Sequence, residues 1–506
     1  MSCGEACGPL VLQLLIYGLT NGAVVALNAV GFTLAYAVAR QINLAHGNVF
    51  ALTTVAVASL ARAFEVTAAD PPLVRIALVG LLVVAGAACG AVLNGAVERL
   101  AFRPFQDRRD PLLPLIASVG LSFVLLQVAV WWHAATNVPR AGHQGVNLPL
   151  LAVPDLVPAV ELGWGGVSFT GKDLFVLLLG GVTAVGVTLL LRRTRGGRML
   201  RAVAQDRELA GLCGADPVRA QTLAFLLAGA LAGLGAAIFA TYYGGATSQH
   251  GLRGGLAAIT AAVLGGVGNP RGALVGGVAL GVAAAFSDYL LDAHWTPVLV
   301  LLLLVLLLAS RPSGLLERGG NAVLDEVAPV GPTAGVGALP GSRWLLGGLL
   351  ALALVYPWID QLAGWNRLQS ATAALLLVTL AIGLSVVVSL AGLLDLGYAA
   401  FFAIGGYTAA LLTASGSRLA IALPGLLDPW LALPLAGLVA AAFGVLFGLP
   451  SVRTRGEYLA IVTLAFGEIV PGVIWHLPYW TGGPRGISGV PPLRLGPWGP
   501  DSPLQA

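Results

Sequence analysis

Apolar runs long enough to cross a bilayer recur along almost the whole chain, and they constrain it more than any other feature. A membrane-spanning helix needs about 20 mainly apolar residues. Runs of that order fall at 10–38, 45–63, 76–97, 111–131, 173–191, 220–242, 256–288 and 296–310, then at 344–358, 368–390, 396–414, 429–450 and 458–476. The run at 256–288 has room for a re-entrant piece followed by a span. Hydrophobic residues make up 57% of the chain and charged ones only 10%, whereas soluble domains carry about a quarter charged. Backbone polar groups in lipid must be satisfied within the structure, so spans of this length are helices. The expected fold is an all-α polytopic membrane protein with about 12–14 transmembrane segments.

The charges orient these spans. Net charge is only +4, and the arginines cluster in two stretches rather than on a basic face, which excludes nucleic acid as a partner. "ERLAFRPFQDRRD" (98–110) is one cluster and the loop 192–220 the other. Both are expected on the cytoplasmic side, with the loop 132–172 and the N-terminus outside. The apolar run from Leu10 lacks a basic leader and continues into further spans, so no cleavable signal peptide is expected. Cys3, Cys7, Cys89 and Cys213 are the four cysteines, and their scatter suggests neither a disulfide framework nor a metal site. The stretch 311–343 is rich in Gly and Pro without sustained apolar period, and reads as a cytoplasmic linker between membrane domains 1–310 and 344–506.

An internal repeat crosses that linker. "GFTLAYAVARQINLAHGNVFA" (31–51) aligns without a gap on "GLSVVVSLAGLLDLGYAAFFA" (383–403), placing Asn43 on Asp395 and His46 on Tyr398. A second match sets "LIASVGLSF" (115–123) on "AIVTLAFGE" (460–468). Both halves follow the same order and the same charge-set orientation, a parallel repeat. Asn43, His46 and Gly47, with Asp395 and Tyr398, therefore mark one feature twice, a polar turn between apolar segments. It is either a broken helix beside a translocation path or a capping turn at the cytoplasmic interface.

Two further stretches bear on function. "LRAVAQDRELAGLCG" places Ala202, Asp206, Ala210 and Gly214 four residues apart. That spacing gives a narrow face of small residues on a short helix, edged by Arg198 and Arg201 and suited to docking in a partner's groove. An ordinary basic loop is the competing reading. "GVSFTGKD" (166–173) nearly spells a phosphate-binding loop, but Asp173 stands where a magnesium-binding hydroxyl belongs, and the stretch lies outside. Neither a catalytic motif nor acids with metal spacing are found, so an enzyme is not expected.

At these residues the chain resembles the membrane subunits of branched-chain amino acid ABC importers. "GFTLAYAVARQINLAHGNVFAL", "ERLAFRPF", "LRAVAQDRELAGLCGADPVRAQTLAFLLAGALAGLGA" and "TAAVLGGVGNPRGALVGGVALG" resemble the H-type permease. "AGLLDLGYAAFFAIGGYTAALL", "RTRGEYLAIVTLAFGEI" and "TGGPRGI" resemble the M-type. The chain thus looks like an H–M fusion in the bacterial inner membrane. The resemblance implies import of branched-chain or similar small amino acids. It implies as partners two cytoplasmic ABC ATPase subunits, an extracytoplasmic amino-acid-binding protein and another permease chain, all within membrane lipid. ATP would be used by the ATPases, leaving no cofactor on this chain, and 192–220 would be the ATPase-coupling loop.

Departures from the family pattern are Asn48 where an acid is common, Asp395 for Ser, Tyr398 for His or Gln and Ala465 for Gly. Urea and short-chain amide permeases share the scaffold and remain an alternative. An ion-coupled secondary transporter is another, though it would want intramembrane carboxylates, which are scarce here. The M-type half reads as partial, since "GPDSPLQA" (499–506) falls within its outside loop and no counterpart of 192–220 follows.

Overall fold

The computed structural model describes residues 7–66, 70–106, 112–137, 150–158, 160–164, 167–310, 342–364, 367–388, 395–419, 428–452 and 457–491. The expected linker 311–343 lies almost entirely outside these, as does the chain end at 492–506. The chain divides into two compact units, Met1–Ala322 and Val323–Ala506.

In the first unit the helices are α1 (Cys7–Ala39), α2 (His46–Ala63), α3 (Pro72–Val97), α4 (Leu112–Asn137), α5 (Gly171–Arg193), α6 (Arg195–Gln205), α7 (Arg207–Leu212), α8 (Pro217–Tyr243), α9 (His250–Gly265), α10 (Pro270–Leu290) and α11 (Thr296–Ser310). The second unit holds α12 (Ser342–Ala363), α13 (Leu368–Val386), α14 (Tyr398–Thr413), α15 (Pro429–Val452) and α16 (Glu457–His476). Among the described residues, nine helices are long and apolar enough to cross a membrane, and two shorter apolar ones, in α11 and α14, accompany them. Within the run 256–288, the chain turns from α9 through Gly266 and Gly268, both at positive φ, into α10.

Helices in lipid gain nothing by burying oil against oil, so close packing and polar contacts hold them together. Here the close packing is made by glycines four apart. On α3 and α8, Gly86 and Gly90 face Gly229 and Gly233. A Cβ at Gly90 would stand 3.0 Å from the Gly233 Cα, and one at Gly229 would meet the Asn94 Cβ at 2.6 Å. On α1 and α10, Gly18 and Gly22 face Gly277 and Gly281; a Cβ at Gly22 would lie 2.9 Å from the Val278 Cα. Outward faces stay apolar, as on α5, where Leu178, Val182 and Val185 are exposed.

The end opposite the arginine clusters is tied by polar contacts. A hairpin of β2 (Glu161–Trp164) and β3 (Val167–Thr170) precedes α5. The Gln13 amide donates to Ser168 O at 2.7 Å and accepts from Ser168 N at 2.9 Å, fixing that hairpin to α1. β1 (Leu151–Ala152) pairs antiparallel with β4 (Gly245–Ala246), bracing the α8–α9 connection. Asp173 forms a capping box with Thr170 at the start of α5 and accepts from the Tyr242 hydroxyl at 2.8 Å. The near-match to a phosphate loop thus has a structural use for its aspartate.

If glycine contact holds α3 to α8, Gly229→Val should lower unfolding stability in detergent by about 1–3 kcal/mol. Gly186→Val, with nothing within 4 Å of its Cβ position, should change it by no more than about 0.5 kcal/mol. Equal losses would mean that close approach is not what joins these helices.

Candidate functional site

The ladder of α1 stops at Arg40, which takes a left-handed φ of 54°. Such a conformation costs about 1–2 kcal/mol in a non-glycine residue. The Arg40 guanidinium is held by donating to Ala204 O on α6 at 2.6 Å. Residues 41–45 then run without helix until α2 begins at His46. This interval is buried: Asn43 and His46 are each 2% exposed and Ala45 is fully buried. Its polar groups must find partners in the protein, because hydrocarbon offers none.

Several do so through four helices, while His46 Nδ1 has no partner among the described residues. The Asn43 Oδ1 accepts from Ala45 N at 3.0 Å, and its Nδ2 donates to Asn94 Oδ1 on α3 at 3.1 Å. Asn94 passes the network on, donating to Phe225 O on α8 at 2.7 Å. Leu44 N donates to Ser118 Oγ on α4 at 3.3 Å, and Ser118 donates to Leu115 O at 2.7 Å. The His46 ring reaches Asn28 O on α1 at 3.2 Å through Nε2, which must carry the proton because a carbonyl only accepts. One turn on, Asn48 donates to Ser122 O and Oγ at 2.9 and 2.7 Å.

A second interruption meets the first. α9 begins at His250, and neither α2 nor α9 has a side-chain cap. The two starts touch through glycine: a Cβ at Gly47 would stand 2.8 Å from the Gly255 Cα, and Gly251 abuts Asn48. The Asn28 amide spans to α9 by donating to Gly254 O at 3.3 Å. The expected residues Asn43, His46 and Gly47 are therefore assembled in one place. They form an interruption between α1 and α2 whose Asn43, Ala45 and His46 are buried against neighbouring helices.

The second unit repeats the arrangement. Gly397 N donates to Asp395 Oδ1 at 2.8 Å, Leu396 N to Thr463 Oγ1 at 3.0 Å, and Thr463 Oγ1 to Ala460 O at 3.1 Å. These are the three bonds made by Ala45, Leu44 and Ser118, at the positions the sequence repeat aligns. The ring also recurs in place, since His46 lies against Gly31 and Tyr398 against Gly383. Ser118 and Thr463 carry the turn, and sequence reading had aligned them without giving them a role. Asn94 was also missed; an amide inside an otherwise apolar span is its signal.

The loop 192–220 departs from expectation. Asp206 is extended (φ −149°, ψ 117°) and caps α7, accepting from Glu208 N and Leu209 N at 2.9 Å each. This cap breaks the expected single helix into α6 and α7, so Ala202, Asp206, Ala210 and Gly214 do not form one stripe. Ala210 is buried at 5%, whereas Ala202 and Asp206 are exposed and Gly214 sits in an exposed turn at φ 85°. Arg198 and Arg201 are exposed on α6. The buried side of α6, Leu200 and Val203, packs with Val38 of α1 and with Ala220 and Ala224 of α8. Among the exposed polar residues of the elbow, which include Arg207 and Glu208, two large apolar side chains also face outward, Leu209 at 59% and Leu212 at 84% exposed.

Interrupted helices, closed by internal hydrogen bonds within an all-helical multi-pass bundle, are the architecture of a membrane permease. Comparison with known proteins specifies it further. The chain matches the family model of the branched-chain amino acid transport system permease component over residues 14–309 and 366–494, and it belongs to that family. It is 32% identical over 312 residues to the high-affinity branched-chain amino acid transport system permease protein BraD of Pseudomonas aeruginosa, covering 61% of this chain and 96% of BraD. To the corresponding protein LivH of Escherichia coli K12 it is 31% identical over 309 residues, again 61% and 96% of the two chains. To LivM of the same organism it is 44% identical over 169 residues, 33% of this chain but only 37% of LivM. No solved structure matches. The chain is thus a multi-pass protein of the bacterial inner membrane, with H-type and M-type parts.

Removing the hydroxyl that serves the turn should cost the same in either unit. Ser118→Ala and Thr463→Val each strand a backbone N–H, for about 1–3 kcal/mol of unfolding stability. Thr463→Ser should restore most of it. Denaturation in detergent reads both, and an unaffected Ser118→Ala protein would remove the hydroxyl from the account of the turn.

Proposed function

We propose that this chain is the permease of an ATP-driven importer for branched-chain or similar small amino acids. Residues 1–310 serve as its H-type domain and 344–506 as its M-type domain, with 311–343 joining them. The support for substrate class is the family match over both parts. The proposal adds two cytoplasmic ATPase subunits as the source of power and an extracytoplasmic binding protein as the source and main selector of the amino acid. The chain itself performs no catalysis and holds no cofactor.

The observation that carries the ATP-driven reading is the α6–α7 elbow. Exposed leucines on a short polar helix are out of place in a loop that meets only water, and they suit the groove of a protein partner. The elbow is also mechanically connected to the broken helix. α6 is seated on α1 and α8 through Leu200 and Val203. Its Ala204 carbonyl accepts from Arg40, only three residues before Asn43. A shift of α7 by a closing ATPase would therefore pull on the chain segment that enters the buried turn. Asn43, His46 and Gly47, with Asp395 and Tyr398, are the proposed pathway elements. Arg198, Arg201 and Asp206 flank the docking surface, and Ala202, Ala210 and Gly214 shape the elbow.

Co-purification of the solubilised chain with its candidate ATPase tests this. The double variant Leu209→Ser/Leu212→Ser should weaken association by about 2 kcal/mol or more, as loss of interface anchors does. Because both side chains are exposed, unfolding stability should move by no more than about 0.5 kcal/mol. Undiminished binding by the folded variant would remove the elbow as the docking element.

A further inference from the structure

A crevice of about 270 Å³ opens in the first unit where α1, α5 and α8 meet α6 and the α9–α10 turn. Its walls are aliphatic, with Leu34 and Val38 from α1, Leu191 from α5, Leu200 from α6 and Leu274 from α10 among them. Its charge is of one sign: Arg192, Arg201 and Arg271 line it, and none of the lining residues is acidic. The three arginines are exposed, and each comes from a different helix, the end of α5, the body of α6 and the first turn of α10. The crevice also takes in the start of α10 at Asn269–Arg271, where the helix dipole adds positive potential. Beside it, Leu189 on α5 and Val275 on α10 are 45% and 52% exposed, so its flanks are surfaces made for hydrocarbon.

An apolar slot with a cationic mouth, at the level of the arginine loops, fits a ligand with an acyl chain and an anionic head. A soluble anion would leave the aliphatic walls unfilled, and a zwitterionic lipid would bring a choline against three guanidinium groups. We propose that the crevice binds an anionic phospholipid, its chain along Leu34, Leu191 and Leu274 and its phosphate between Arg192, Arg201 and Arg271. Guanidinium groups clamp phosphate through paired charge-assisted hydrogen bonds, and basic pockets between membrane helices on the cytoplasmic side take such heads. A lipid held there joins α6 to α5 and α10 through one shared head group. This inference rests on the crevice, which shares only Arg201 with the docking surface proposed on the elbow.

Native mass spectrometry tests it on the full chain in nanodiscs of equal phosphatidylglycerol and phosphatidylcholine. The wild-type protein should retain phosphatidylglycerol in preference, by roughly tenfold or more given a gain per arginine near the surface of this order. Arg192→Gln/Arg271→Gln should bring the two lipids close to parity without changing thermal unfolding. Thr188→Trp, which fills the slot and leaves every charge in place, should reduce retention of phosphatidylglycerol as well. Inorganic phosphate at tens of millimolar should not displace the lipid, by the chain's contribution to binding. No preference in the wild-type protein, a preference that survives the double arginine change, or displacement by phosphate would each overturn the proposal.

Discussion

Hydrocarbon supplies no hydrogen-bond partner, and an unmet backbone group there costs several kcal/mol. The interval between Arg40 and His46 meets that penalty at Ile42, Asn43 and Ala45, which leave the helix while staying buried. It survives because side chains do what the helix ladder has ceased to do. Asn43 turns back on its own backbone and at the same time reaches Asn94; Ser118 takes the next N–H; Asn94 anchors both to α8. Four helices share one set of bonds, so the turn cannot shift without breaking contacts to several of them. Buried networks of this kind polarise and reinforce one another when complete, and are costly when one member is lost.

The glycine contacts follow from the same demand. For Asn94 to meet both Asn43 and the Phe225 carbonyl, α3 must approach α8 closely, and Gly90 and Gly229 remove the side chains that would keep them apart. Gly47 and Gly255 do likewise where α2 and α9 start. Close approach and polar satisfaction are therefore one device. Without the glycines the hydrogen bonds would be out of reach, and without the bonds the approach would bring unpaired groups together.

Much of this could be read in advance. The span pattern and the paired polar turns follow from apolar run lengths and from one ungapped alignment, because lipid leaves few ways to place a backbone. The α6–α7 region was less legible. Small residues at Ala202, Asp206, Ala210 and Gly214 keep a four-residue spacing, which reads as one helical face only if the helix is continuous. Asp206 serves equally well as an N-cap, and the two N–H groups it accepts from decide the matter. The partners of the turn were hidden differently. Asn94 and Ser118 lie 51 and 75 residues beyond Asn43, and their meeting depends on how helices pack, which periodicity along a sequence does not encode.

The repeat separates what the turn requires from what it tolerates. Between the units Asn43 becomes Asp395, Ser118 becomes Thr463 and His46 becomes Tyr398, yet the three hydrogen bonds and the ring against a glycine are retained. An acceptor at the first position, a hydroxyl on the facing helix and a planar ring at the fourth position are the constants. Charge is not among them, since an amide and a carboxylate serve alike as acceptor. The Nδ2 donor of Asn43 is the part with no equivalent in Asp395, and it is the part that binds Asn94. The shared bonds thus form the framework of the turn, while the contact from Asn43 to α3 is an addition of the first unit. That addition lies three residues from Arg40, which donates to the α6 carbonyl of Ala204. In the first unit the turn that is tied to a further helix is thus also the one that Arg40 connects to α6.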